Sequence, residues 1–171
     1  DIETIPNQSP DFKAKLRENI KPPGSIKNPE SIAAWMAENA DAAVDEAVAK
    51  TSFDPAYGHI CCLGFAIDDS PVQYYEARAV EDERAILESF FDALPKLGLH
   101  CFIGHNVAAF DLRFLLQRYI VNGIRPHPVI WRAAQAKPWE SDRVYDTMVQ
   151  FAGVGNRISL DKLCLALGIE G

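Results

Sequence analysis

Asp1 and Glu3 stand two positions apart at the head of the sequence, and a third acid, Asp111, closes the stretch Gly104-His105-Asn106-Val107-Ala108-Ala109-Phe110-Asp111. Side chains two apart on an extended strand share one face about 7 Å from each other, so Asp1 and Glu3 can grip one divalent ion or bracket two. Three carboxylates drawn into one cleft repel each other by roughly 4 kcal/mol per pair at contact distance and an effective dielectric near 20, and a cation relieves that repulsion. All-oxygen ligation suits Mg2+ or Mn2+. Asp-x-Glu alone also describes a solvated strand end, so the weight rests on Asp111.

The residues around Asp111 read as a short buried strand at 101–104 and an amphipathic helix over 107–121, with Asn106 as its N-cap. Asp111 then falls just past the first turn, among Phe110, Leu112, Phe114, Leu115 and Leu116. An acid amid such neighbours calls for a partner, a metal or else Arg113 or Arg118, unless it simply faces water. Upstream, Ser9-Pro10 and Asn28-Pro29 each open a helix. The second carries the apolar stripe Ile32, Trp35, Met36, Ala40, Val44 and Val48. This helical insertion, about 9–50, is a candidate for substrate gating or partner docking, and packing against the sheet is the plainer expectation.

Residues 59–67 and 72–80 predict two strands of a hairpin around Asp68-Asp69-Ser70-Pro71. A helix over 82–94 follows, ended by Pro95 and Gly98. The Pro- and Trp-rich stretch 126–139 predicts a loop with at most a short helix. Asp146 is assigned to capping the helix that begins at Thr147 rather than to the metal set. His105, in a strand-to-helix loop, is expected to be a structural hydrogen-bonder. Strands followed by alternating helices imply an α/β layered fold.

At 48% apolar, 171 residues can build the core of a single domain. A net charge of −7 argues against a broad, sequence-blind grip on duplex DNA. Arg113, Arg118, Arg125, Arg132, Lys137 and Arg143, interleaved with Trp131 and Trp139, are compatible either with a hold on a single strand or with a solvated surface over partly buried tryptophans. Cys61, Cys62, Cys101 and Cys164 lack metal or disulfide spacing and are expected to be small buried thiols. No membrane partner is expected: the longest apolar stretch, 60–67, is far too short to span a bilayer and no basic-then-apolar leader is visible. A cytoplasmic, reducing setting is the default.

On these residues the sequence resembles the DEDD superfamily of 3′-to-5′ exonucleases, and most closely the stand-alone proteins related to the exonuclease domain of family B DNA polymerases. Asp1-Ile2-Glu3-Thr4 is similar to the family's first motif and Asn106-Val107-Ala108-Ala109-Phe110-Asp111 to its second. Ser159-Leu160-Asp161-Lys162-Leu163-Cys164 resembles the helix preceding the third. The resemblance implies a ribonuclease H-like fold, a mixed β-sheet flanked by helices on both faces. It also implies two divalent metal ions: Asp1 bridging both, Glu3 on the ion that activates water, Asp111 on the second. Thr4 would meet the terminal 3′ hydroxyl through its backbone, Ile5 would press on the last base, and Asn106 with Phe110 would line the cleft.

The third motif, Tyr or His followed by a fourth Asp, would lie beyond the Leu160 helix. The sequence begins without Met and reaches Gly171 before that motif, which suggests a core trimmed at both ends. The implied activity is 3′-to-5′ hydrolysis of single-stranded nucleic acid, DNA favoured over RNA, in DNA repair or RNA turnover. Two alternatives stand beside it: a non-catalytic nucleic-acid-binding or interaction domain with an incomplete acid set, and a phosphohydrolase of small nucleotides.

Overall fold

The computed structural model describes residues 1–94 and 101–169. Strand β1 (Ile2–Ile5) pairs antiparallel with β2 (His59–Phe65), which pairs antiparallel with β3 (Gln73–Glu76). The expected hairpin is therefore present, shorter than its apolar runs. The register skips Cys61, pairing Glu3 with Cys62 and Thr4 with Ile60. An unpaired residue of this kind is a bulge, and it resets the alternation of the strand. Ile60 and Leu63, three apart, thereby both face the core.

Helices α1 (Pro10–Asn19) and α2 (Pro29–Lys50) begin where the Ser-Pro and Asn-Pro signals place them. The Ser9 hydroxyl accepts the Phe12 N–H, and the Asn28 side chain accepts the Glu30 N–H at 2.9 Å. The two helices lie along one another, joined by the ion pairs Lys13–Asp45 and Arg17–Asp41. Packing of helix on helix is thus the main arrangement of the 9–50 insertion. Only Ala40 and Val44 of α2 are fully buried, and none of α1, so the pair sits at the rim of the fold.

Helix α3 (Glu83–Ala93) buries Ile86, Leu87 and Phe90 against the core. Pro95 and Gly98, expected to end it, lie outside the described residues. Strand β4 (Phe102–Gly104) runs parallel to β5 (Val144–Asp146), setting Gly104 opposite Asp146. Between them lie α4 (Asp111–Val121) and the short α5 (Pro128–Ala133), and after them α6 (Thr147–Ala152) and α7 (Leu160–Leu167). None of the described helices is long and apolar enough to cross a membrane.

This is a mixed α/β fold, and among the described residues its strands fall into two small sheets, β1-β2-β3 and β4-β5, rather than one. Asp1 exchanges both backbone hydrogen bonds with Gly64, so the next amide, Ile2, points away from β2. That amide is taken by a side chain of α4 instead of by a neighbouring strand.

Several expectations are corrected. β4 is not buried, since Ile103 is 73% exposed. Three residues are too few to lie beneath the helices, and Ile103 pairs only with the exposed Tyr145. All four cysteines are free thiols, but Cys101 is exposed and Cys61, Cys62 and Cys164 are half-buried. Trp131 and Trp139 are exposed rather than partly buried, at 49% and 78%.

The core of Ile2, Ile60, Leu63, Leu87, Phe114 and Tyr119 encloses the buried ion pair Glu83–Arg118. Arg118 Nε and Nη2 donate to the Glu83 carboxylate at 2.8 and 2.6 Å. The Ile60 N–H and the Asn122 amide donate to the same carboxylate, and Arg118 Nη1 donates to the Pro55 carbonyl. Arg118 is therefore committed to the interior, neither paired with Asp111 nor available to a nucleic acid. It ties α4 to α3 and β2, and so fixes the helix that carries Asp111.

Candidate active site

Asp111 is the first residue of α4, not a residue past its first turn. Residues 107–110 form a separate turn in which the Phe110 N–H reaches the Asn106 carbonyl and the Leu112 N–H the Val107 carbonyl. Asn106 does not cap the helix. It adopts a left-handed conformation with φ 60°, a region that asparagine tolerates better than most residues. Phe110 occupies the N-cap position without a side-chain hydrogen bond.

Asp146 controls that turn. It caps α6 as expected, through the N–H groups of Met148 and Val149, and its carboxylate also accepts the N–H groups of Asn106 at 2.9 Å and Ala108 at 3.1 Å. One buried carboxylate thus satisfies four backbone donors and clamps the loop entering α4 onto β5. The cap was readable from Asp146-Thr147. The bond to Asn106 spans 40 residues, and no local pattern announces it. Asp146→Ala strands those donors and should cost about 3 kcal/mol, lowering the urea midpoint by roughly 1 M or more. An unchanged midpoint would contradict the clamp.

His105 completes the scaffold. Its Nδ1 lies 3.0 Å from the Thr147 hydroxyl and its Nε2 lies 2.9 Å from the Ile158 carbonyl, so the ring is structural, as expected. Gly104 is needed where it stands, because a Cβ there would fall 2.9 Å from Val107 Cβ.

The clamp delivers Asp111 to β1. Its Oδ1 accepts the Ile2 N–H at 3.0 Å, a buried hydrogen bond across 109 residues of sequence. Asp1 and Glu3 flank that amide on either side, both exposed, while the Ile2 side chain turns into the core. Burial pushes the Asp111 carboxyl above the usual range. The N–H groups of Asp111 and Ile2 oppose that shift, and the charge of Asp146 adds to it. No basic side chain forms an ion pair with Asp111 among the described residues.

In type these donors suit a hard divalent cation: Asp1, Glu3 and Asp111 offer oxygen alone. A buried carboxylate with no cationic side chain is also a place where a metal ion would lower the energy. The side chains do not yet converge. Among the described residues, no three of His, Cys, Asp or Glu are gathered as a metal-holding group.

The expected substrate residues are divided. The Thr4 hydroxyl donates to the Ser52 carbonyl at 2.7 Å and so serves the turn after α2. Ile5 is half-buried opposite His59. Phe110 packs against Phe114 with ring centroids 5.5 Å apart, next to Asp111 in sequence. Asn106 stands at the other end of the same turn, half-buried.

The family model described as DNA polymerase family B, exonuclease domain, matches residues 31–129. The matched span contains Asn106, Phe110 and Asp111, while Asp1, Glu3, Thr4 and Ile5 precede it. No curated protein and no solved structure matches the chain.

Proposed function

The chain belongs to the exonuclease-domain family of the family B DNA polymerases, and from that premise we propose that it is a metal-dependent 3′-to-5′ exonuclease of single-stranded nucleic acid, DNA in preference to RNA. The observation that carries this reading is the buried Asp111 carboxylate on the Ile2 amide, between Asp1 and Glu3. The buried acids of the scaffold are well satisfied, Glu83 by Arg118 and Asp146 by four backbone N–H groups, whereas the one hydrogen bond described for the Asp111 side chain comes from the Ile2 N–H. Asp111 forms no ion pair among the described residues, and Asp1 and Glu3 flank the very amide it holds.

In the reading proposed here Asp1, Glu3 and Asp111 hold two ions, Mg2+ or Mn2+, on a ribonuclease H-like scaffold. Asp1 and Glu3 are exposed, so their side chains are free to turn toward Asp111. Bound there, the ions would supply hydroxide near neutral pH, neutralise charge on the phosphorus and assist the departing 3′ oxygen. Asp111 keeps its place through the Ile2 N–H and the Asp146 clamp, without rearrangement of the backbone. Thr4 and Ile5 continue β1 beyond Glu3 toward the terminal nucleotide, and Asn106 and Phe110 edge the opposite side. Action in DNA repair belongs to the same proposal.

The test is digestion of single-stranded DNA and RNA, labelled at the 5′ end, by the native-length protein with Mn2+. A ladder shortening from the 3′ end is expected, with DNA degraded faster. Internal cuts, or shortening from the 5′ end, would refute the proposed polarity.

The unassembled acids favour one second reading, a nucleic-acid-binding domain without catalysis. Tight binding of the same strands with no cleavage at any Mn2+ concentration would establish it.

A further inference from the structure

We propose that the groove between α4 and the segment that follows α5 is a second contact for single-stranded nucleic acid, holding the phosphodiester backbone upstream of the end that reaches the acids. This rests on the nuclease reading for the identity of the strand, but the groove's own chemistry selects the ligand class. Asp111, Leu115 and Arg118 lie three or four residues apart and form the buried face of α4. Arg113, Leu116 and Gln117 lie on the outer face and form one wall of a groove of about 340 Å³, within the ordinary range of ligand sites. Ala134, Gln135 and Lys137 form the other wall.

The charge of this groove is the argument. The chain carries a net charge of −7, yet no acid lines the groove. Some exposed cations elsewhere meet carboxylates, Lys13 with Asp45, Arg17 with Asp41, Lys50 with Glu46 and Arg84 with Glu88, while others, such as Lys15, Arg125 and Arg132, form no ion pair among the described residues. What marks the groove is that two cations border one concavity without an acid in its lining. Arg113 and Lys137 form no such pair among the described residues. Glu140, the acid nearest Lys137 in sequence, is already engaged by the Lys137 N–H at 2.7 Å and by Arg143. Two uncompensated cations about a concave site favour an anion, and the guanidinium of Arg113 suits the paired oxygens of a phosphate.

The flanks favour a strand over a small anion. Trp131 precedes Gln135 by one helical turn and presents an exposed ring on the same side. The Gln135 amide donates to the Trp131 carbonyl at 3.3 Å, which holds the two together. Trp139 follows Lys137 by two residues and is exposed. Indole faces beside phosphate-binding cations are how single strands are held without sequence preference.

The test uses the native-length protein in EDTA, where no cleavage occurs, and fluorescence anisotropy of labelled DNA strands of about 30 and about 4 nucleotides, sizes that do and do not exceed one binding module. Arg113→Ala/Lys137→Ala should weaken binding of the long strand by about tenfold at low salt. Its salt dependence should fall by about 1.4 in logarithmic slope, the release expected for two phosphate contacts on a single strand. Binding of the short strand should not change. Lys13→Ala/Arg17→Ala, which removes two exposed cations from α1, should leave both affinities intact.

Equal loss in that control, or an unaltered long-strand affinity in the groove variant, would overturn the proposal. So would a mononucleotide that competes at the groove as strongly as the long strand. The nuclease reading fails separately, if Mn2+ produces no cleavage while the groove variant still loses long-strand binding.

Discussion

Asp111→Asn should lower exonuclease activity by roughly 100-fold or more while raising the melting temperature of the metal-free protein. The first effect follows from discarding the charge that holds a cation whose stabilisation of the transition state is worth several kcal/mol, each 1.36 kcal/mol being tenfold in rate. The second follows from burial. The Asp111 carboxyl is pushed up, so the stability it contributes is fully present below the unfolded value near 3.9 and is lost as pH rises through the folded value. At neutral pH the ionised group therefore works against folding. The Asn amide keeps an oxygen to accept the Ile2 N–H and has no charge to bury. Thermal unfolding in EDTA should show a gain of a few degrees, at about 2–4 °C per kcal/mol for a chain of this size. Lost activity together with lost stability would make Asp111 a structural residue, and full activity would remove it from the site.

Glu83→Gln should act in the opposite sense on stability, costing about 3–5 kcal/mol, because it leaves the Arg118 guanidinium buried without its counter-charge. The melting temperature should fall by roughly 6–20 °C. Burial pushes the Glu83 carboxyl up, but the hydrogen bonds from Arg118, the Ile60 N–H and Asn122, with the Arg118 charge, together hold it below the ordinary range. Its contribution is thus present above the unfolded value near 4.3 and is lost as pH falls through the depressed folded value. The wild type should lose stability on that acid limb more steeply than Glu83→Gln. Glu83→Leu combined with Arg118→Met should recover part of the loss, since an apolar replacement of both partners removes the stranded charge but leaves the buried Ile60 N–H without its acceptor. A melting temperature within two or three degrees of wild type for Glu83→Gln would show the pair to be dispensable.

Local grammar carried most of the elements. Ser9-Pro10 and Asn28-Pro29 fixed two helix starts, Asp146-Thr147 a third, and Gly168 closes α7 in the left-handed conformation a C-cap demands. The start of α4 was misplaced because periodicity runs smoothly through Val107 and Ala108, whereas the backbone there obeys Asp146, a tertiary partner. Arg118 looked like a surface cation for the same reason: nothing near it in sequence names Glu83. The sheet was legible in its strands but not in their assembly, since whether the open edge of β1 meets a strand or the Asp111 carboxylate is decided 109 residues away. Asp111 itself was legible because an acid inside an apolar helix face is costly enough to need a reason.

The central claim, that Asp111 and the acids of β1 form one metal site, is tested most directly by counting bound Mn2+ on the native-length protein by electron paramagnetic resonance. Wild type is compared with Glu3→Gln/Asp111→Asn, each checked for a cooperative thermal transition. The account predicts that the wild type takes up Mn2+ and that the double variant leaves it in solution. Equal uptake by a folded double variant would place the metal elsewhere and contradict the account.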